Sequence, residues 1–203
     1  MQKTSDIVSS YLWDYKGIYV IAEAKNATTA DIAYTSFEAE AKGSWTYAGA
    51  VTADATTPTG GLCYSLSGGA ISKSGLTSTG SYIVSYWIKG TTPLTITGTQ
   101  SGYPLMGKTI KGWTYFEHKV TGITSVSISG AAYVDEVRLH PSKAQMTTYT
   151  YTPLIGVTSI CDTDGKLTYY TYDNFGRLKW IRDQDGNIVK AYQYHYQGMP
   201  ASN

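Results

Sequence analysis

The feature that most constrains this chain is a recurring turn. Asp162, Asp173 and Asp183 are each followed three positions later by a glycine, Gly165, Gly176 and Gly186. An Asp side chain can accept a hydrogen bond from the backbone two residues on, and Gly tolerates positive φ, so each quartet closes a tight turn. The turns recur every ten or eleven residues, and alternating segments such as Lys166 to Tyr172 and Arg177 to Arg182 run between them. That spacing describes a series of antiparallel hairpins. The wider composition agrees with an all-β chain. With 19 Tyr and 21 Gly, it is rich in strand formers and in turn residues.

The pattern is present at the other end of the chain as well. Tyr11-Leu12-Trp13-Asp14-Tyr15-Lys16-Gly17 aligns residue for residue with Tyr170-Thr171-Tyr172-Asp173-Asn174-Phe175-Gly176. A further copy, one residue longer at its turn, runs from Tyr149 to Gly156. Residues 1–35 and 142–203 therefore read as one kind of material, with a different domain, 36–141, inserted between them. Exposed hairpin turns accept such insertions well. On Tyr170, Tyr172, Asp173, Gly176, Arg177, Leu178, Gly186 and Asn187 the outer segments resemble the YD-repeat, or Rhs-repeat, family. The resemblance implies a strand spiral belonging to a large bacterial surface or secreted protein, so that the remainder of a parent chain is an expected partner. The family's terminal core motif and toxin-like C-terminal domain have no counterpart here, and their chemistry is not carried over.

The insert has irregular turns and short strands, expected at Ser36–Ala41, Gly61–Leu66, Ser81–Lys89, Leu94–Gly98, Trp113–Thr121, Ser125–Ser129 and Tyr133–Leu139. Seven or eight short strands with Gly-, Ser- and Thr-rich links suggest a β-sandwich. Alternation sets Phe37, Ala39 and Ala41 on a core face and Glu38 with Glu40 on the other. It sets Tyr133, Asp135, Val137 and Leu139 on one face of the last strand, with Val134, Glu136 and Arg138 opposite. Asp135 then shares an apolar face, and an unpaired carboxylate there is costly. It needs a cation, backbone amides or a proton.

Ser36-Phe37-Glu38, Trp45, the strand Tyr82 to Gly90, the strand Gly112 to Glu117 and Val134-Asp135-Glu136-Val137 are similar to carbohydrate-binding modules of the jelly-roll type. The resemblance implies a jelly-roll β-sandwich inserted between antiparallel YD-repeat hairpins, and often a structural calcium joining first and last strands. Glu38, Glu40 and Asp135 are the matching metal positions, and hard oxygen ligands suit that ion. The resemblance also implies a glycan partner. Sugars stack on flat aromatic side chains, so an aromatic on an otherwise polar strand face is informative. Trp87 alternates with Ser85 and Lys89, while Tyr82, Val84, Tyr86 and Ile88 line the apolar face, which makes Trp87 the first candidate. Tyr103, in the loop before Pro104, and Tyr115 follow. Trp45 and Trp113 read as packing residues.

Other functions find little support. Sixteen basic residues against 15 acidic ones leave no electrostatic footprint for nucleic acid or an anionic membrane. No apolar run approaches the roughly 18 residues of a bilayer span. His118, His140 and His195 have no metal-ligand spacing, and no serine-nucleophile elbow, phosphate loop or dinucleotide fingerprint occurs. Glu117 and Asp135 could in principle pair as glycosidase carboxylates, but any sandwich offers such pairs, and the chain reads as a non-enzyme. Cys63 and Cys161 allow one bridge or two buried thiols, and their placement in strands favours the thiols. The first residues lack the charged and apolar regions of a signal peptide. An extracellular or cell-surface location therefore requires export as part of a longer chain. The competing expectation is a purely structural spacer or protein-contact module.

Overall fold

The computed structural model describes residues 7–194. Among them the chain is all-β, with antiparallel sheets and only two short 3-10 turns, Thr29–Asp31 and Leu66–Gly68. Among the described residues no helix is long and apolar enough to cross a membrane. In chain order the strands are β1 (Ser9–Asp14), β2 (Tyr19–Lys25), β3 (Ala33–Thr35), β4 (Val51–Ala53), β5 (Leu62–Ser65), β6 (Ile71–Ser74), β7 (Ser81–Lys89), β8 (Leu105–Ile110), β9 (Trp113–Thr121), β10 (Ser125–Ile128), β11 (Tyr133–Pro141), β12 (Gln145–Thr152), β13 (Gly156–Cys161), β14 (Leu167–Tyr172), β15 (Leu178–Asp183) and β16 (Ile188–Ala191).

Both ends of the chain build one sheet of order β1-β2-β12-β13-β14-β15-β16. Its two halves meet where β2 pairs antiparallel with β12, Lys25 opposite Gln145 and Ala22 opposite Thr148. The three Asp-Gly turns share one local geometry. Asp162 Oδ1 accepts the N–H groups of Asp164 and Lys166, both at 2.9 Å. Asp173 Oδ1 accepts those of Phe175 and Arg177, and Asp183 Oδ1 those of Asp185 and Asn187. Each closing glycine is at positive φ, 75°, 71° and 86°. A conformation that costs a side-chain-bearing residue energy is free to Gly, which is why the pair recurs. The aligned Asp14 behaves differently: its Oδ1 accepts Tyr15 N–H and, at 3.0 Å, the N–H of Ala41 in the insert. The N-terminal copy of the turn thus grips its neighbour, and burial raises that carboxyl's pKa.

The second large sheet has the order β4-β5-β11-β7-β9-β8, with β3 added beside β11. Ala33–Thr35, assigned from sequence to the N-terminal hairpin, therefore belongs to this sheet. One face carries the main core: Tyr82, Val84, Tyr86 and Ile88 of β7 pack with Val134, Val137 and Leu139 of β11 and with Ile71, Val126 and Ile128 of the two-stranded β6–β10 ribbon. The other face is covered too. There Cys63, Trp87, Trp113 and Tyr115 pack against Cys161 and Leu167 of the hairpin sheet. The arrangement is sandwich-like, with the insert's sheet as the middle layer.

Three expectations are corrected. Ser36–Ala41 is not a strand: Phe37 turns to φ 65° and drives its ring between Tyr47 and Tyr64, with centroids at 5.6 and 5.5 Å. Leu94–Gly98 is irregular, leaving Ile96 buried in the main core. In β11 the alternation breaks at a bulge between Asp135 and Arg138, where Glu136 sits at φ 51°. A bulge inserts one extra residue and exchanges the faces beyond it. Val134, Val137 and Leu139 consequently share the core face, and Asp135 does not join them.

Candidate functional site

The polar face of β7 is not open to solvent. Trp87 is 1% exposed and lies edge-to-face on Tyr115, centroids 5.6 Å apart at 61°. Tyr115, 9% exposed, is held in turn by the hairpin sheet. A Cβ at Gly165 would come within 2.8 Å of the Tyr115 ring, so the glycine of the first repeat turn is also what lets the two sheets close. Neither ring can serve as a stacking platform for a sugar, and both expected assignments are overturned by this packing. Alternation reveals which face a residue takes; here a second sheet covers that face. Tyr103 is half-buried in the loop before β8, its N–H donating to Gln100 O at 3.2 Å, and it is not part of the Trp87–Tyr115 cluster.

Between the sheets lies a buried polar network. Arg138 donates from Nε to Ser85 Oγ (3.2 Å), from Nη1 to the carbonyl of Asp162 (2.9 Å) and from Nη2 to Tyr115 Oη (3.2 Å). One guanidinium thereby joins β7, β9 and the first repeat turn. Its charge is held firmly, since the surrounding Cys161, Tyr115 and Glu136 outweigh the cost of burial. The β11 bulge turns Glu136 toward the hairpin sheet, and it accepts hydrogen bonds from Tyr34 Oη of β3 at 2.7 Å and from Thr148 Oγ1 of β12. Burial raises Glu136, and Arg138 opposes that shift. Asp135 accepts three donors, Thr59 N–H (3.0 Å), Thr59 Oγ1 (2.9 Å) and Glu136 N–H (2.7 Å). Burial, then the adjacent Glu136, push it well above the usual carboxylate range.

These contacts bear on the expected calcium. Asp135 has its acceptors occupied by protein donors. Glu38 Oε1 accepts the N–H groups of Gly61 (2.8 Å) and Leu62 (2.6 Å), and Glu40 is exposed. Among the described residues no group of three or more His, Cys, Asp or Glu side chains is placed to hold a metal ion. The residues present do not fit a calcium site. The cysteines are free and buried, with burial pushing Cys63 up to about 11 and Cys161 up to about 12. His118 is a satisfied core histidine. Thr99 Oγ1 donates to Ile96 O and so accepts from His118 Nδ1, while Tyr86 Oη lies 3.0 Å from Nε2. His195 lies outside the described residues.

At the margin of the seam is a cleft of about 650 Å³. Its floor is the inner face of the hairpin sheet, with Tyr169 and Arg182, and its other wall is formed by insert loops carrying Glu38, Pro58 and Lys111. Sequence reasoning missed it. Arg182 reads only as the end of an alternating strand, and no local signal says which insert loop lies opposite. Likewise Arg138 and Glu136 read as a polar strand face, and only the bulge and the second sheet turn them inward. No protein-family model matches the chain, and the search of curated proteins finds no match to it.

Proposed function

We propose that this chain is a non-catalytic, load-transmitting segment of a larger β-sheet array, of the YD-repeat kind, in which an inserted jelly-roll-type sandwich is clamped flat onto the hairpin sheet. The observation that carries this reading is the seam. The insert's aromatic face, Trp87 with Tyr115, is spent on contact with β13 and β14, and Arg138 ties three elements together beneath it. A binding module on a flexible tether keeps such a face free; a stiffening module buries it. The hairpin sheet grows more exposed from β13 to β16, where all four residues face solvent, as suits a sheet continued by further repeats in an exported surface chain. The reading predicts one unfolding unit. Arg138→Ala strands the Asp162 carbonyl and Tyr115 hydroxyl and is expected to cost about 3 kcal/mol or more. Its thermal transition, followed by tryptophan fluorescence and by far-UV circular dichroism, should shift as a single event. Two separate transitions, one for each sheet, would refute the clamp.

A second reading, glycan binding, is favoured by one observation: the cleft combines phenol rings, hydroxyls and charged groups in a volume suited to a small ligand. It is tested by glycan-array binding of the intact chain. A blank array removes it and leaves the structural reading standing.

A further inference from the structure

The cleft's charges are unevenly committed. Of its two acidic lining residues, Glu38 is held by the Gly61 and Leu62 amides, and Asp185 is neutralised by Lys108, whose Nζ lies 2.6 Å from both carboxylate oxygens. Its two basic lining residues are Arg182 and Lys111. Among the described residues neither enters an ion pair, the pairs being Lys89–Asp54, Lys108–Asp185 and Arg177–Asp173. With Lys108 counted, three cations stand at the cleft against two carboxylates, while the buried Asp135 and Glu136 act on Tyr169 of its floor.

Arg182 is also presented. It pairs directly with Tyr169 across β14–β15, and Tyr169 pairs with Ser159 across β13–β14, so the three side chains form one row on the sandwich-facing side. The guanidinium lies over Trp180, 4.6 Å from the ring centroid. A stacked guanidinium is restrained in orientation while its N–H fork stays available, the geometry that receives a carboxylate or sulfate through two parallel hydrogen bonds. Around it the lining is hydroxylated, with Thr109, Thr158 and Thr171 beside the Tyr169 phenol. That surface offers donors and acceptors to a polyol and stacking faces to its C–H edges.

We propose that this seam cleft binds an acidic saccharide, its carboxylate or sulfate held by Arg182 with Lys111 adding charge at the rim. The proposal rests on the glycan reading and narrows it to one chemical class. The test is isothermal titration of the intact chain with three probes: an oligogalacturonate, a chondroitin sulfate oligosaccharide and a neutral malto-oligosaccharide. Inorganic sulfate serves as a fourth, to separate a bare anion from a sugar. Binding of one or both acidic probes, weakened by added salt and weakened at least about tenfold by Arg182→Gln, is the expected result. Lys111 is exposed at the turn between β8 and β9, so Lys111→Gln leaves the fold intact and should lower affinity less, by a few-fold. Binding of the oligogalacturonate shows that a carboxylate suffices; binding of the chondroitin sulfate alone, which carries both groups, shows that the sulfate is required. Equal affinity for the neutral probe, or affinity unchanged in both variants, overturns the proposal while the glycan reading survives. Binding of sulfate alone as tightly as the sulfated sugar overturns the saccharide assignment. No binding of any sugar overturns both.

Discussion

Replacing Trp87 offers the sharpest test of the seam. The ring is fully buried between two sheets, and its indole Nε1–H has no acceptor among the described residues. Truncation to alanine removes the largest side chain in a rigid interface that cannot collapse, a class of change that costs about 3–5 kcal/mol. In a chain of this length each kcal/mol moves the melting temperature by about 2–4 °C, so Trp87→Ala should lower it by about 6–20 °C. Phenylalanine makes a different prediction. It leaves a smaller void, worth roughly 1–2 kcal/mol, and abolishes an orphaned donor whose burial costs about 1–3 kcal/mol. The two nearly cancel, and Trp87→Phe should lie within about 1 kcal/mol of the parent. Urea unfolding followed by far-UV circular dichroism measures both. A solvent-facing platform would tolerate either change within about 0.5 kcal/mol. A cost below about 1 kcal/mol for the alanine variant would therefore refute the packed seam, and a phenylalanine variant as damaged as the alanine one would show that the N–H is bonded.

Two more predictions follow from the packing. Gly43 sits at φ 51°, and a Cβ there would lie 1.7 Å from the carbonyl oxygen of Tyr34, so Gly43→Ala should destabilise by more than about 3 kcal/mol in the same assay. Burial holds both His118 and His140 down at about 4, against an ordinary value near 6.5. A depressed histidine means that only the unfolded chain takes up the proton between those values. Its contribution is complete above pH 6.5 and is lost as pH falls toward 4, at about 1.4 kcal/mol per pH unit for each ring. The raised carboxylates Asp135 and Glu136 act in the opposite sense, losing stability as pH rises. The difference between parent and His118→Gln isolates one ring, and that variant's stability should fall less steeply over pH 6.5 to 4. Parallel pH curves would show that His118 is already protonated in the fold.

What was legible in the chain was what depends on near neighbours. The Asp-Gly turns are built within five residues, so their Asp and Gly suffice to identify them. Strands β7 and β9 are long and alternate strongly, and their limits, Ser81–Lys89 and Trp113–Thr121, can be read directly. Strands β4 and β8 escaped notice because their residues are almost all exposed, and pairing to a neighbour rather than a pattern of their own makes them strands. The candidate site failed for a related reason. Trp87 sits correctly on the face opposite the main core, but whether water, sugar or a second sheet meets that face depends on residues such as Cys161 and Leu167, far along the chain. Asp135 was rightly marked as needing partners; that Thr59 supplies them, rather than a metal ion, is a property of a loop with no signature.

The junction of β2 with β12 bears on how the molecule assembles. Lys25 and Gln145 face one another with the whole insert between them in sequence. Hairpins zip from their turns, yet this pair of the hairpin sheet has no turn of its own. Its ends meet only after the insert's chain has been gathered, and closing a loop of that length in an unfolded chain carries an entropic cost that local pairing does not. With β3 laid beside β11, Ala33 opposite Leu139, the flanking strands emerge side by side, which shortens the loop that the β2–β12 pairing has to close.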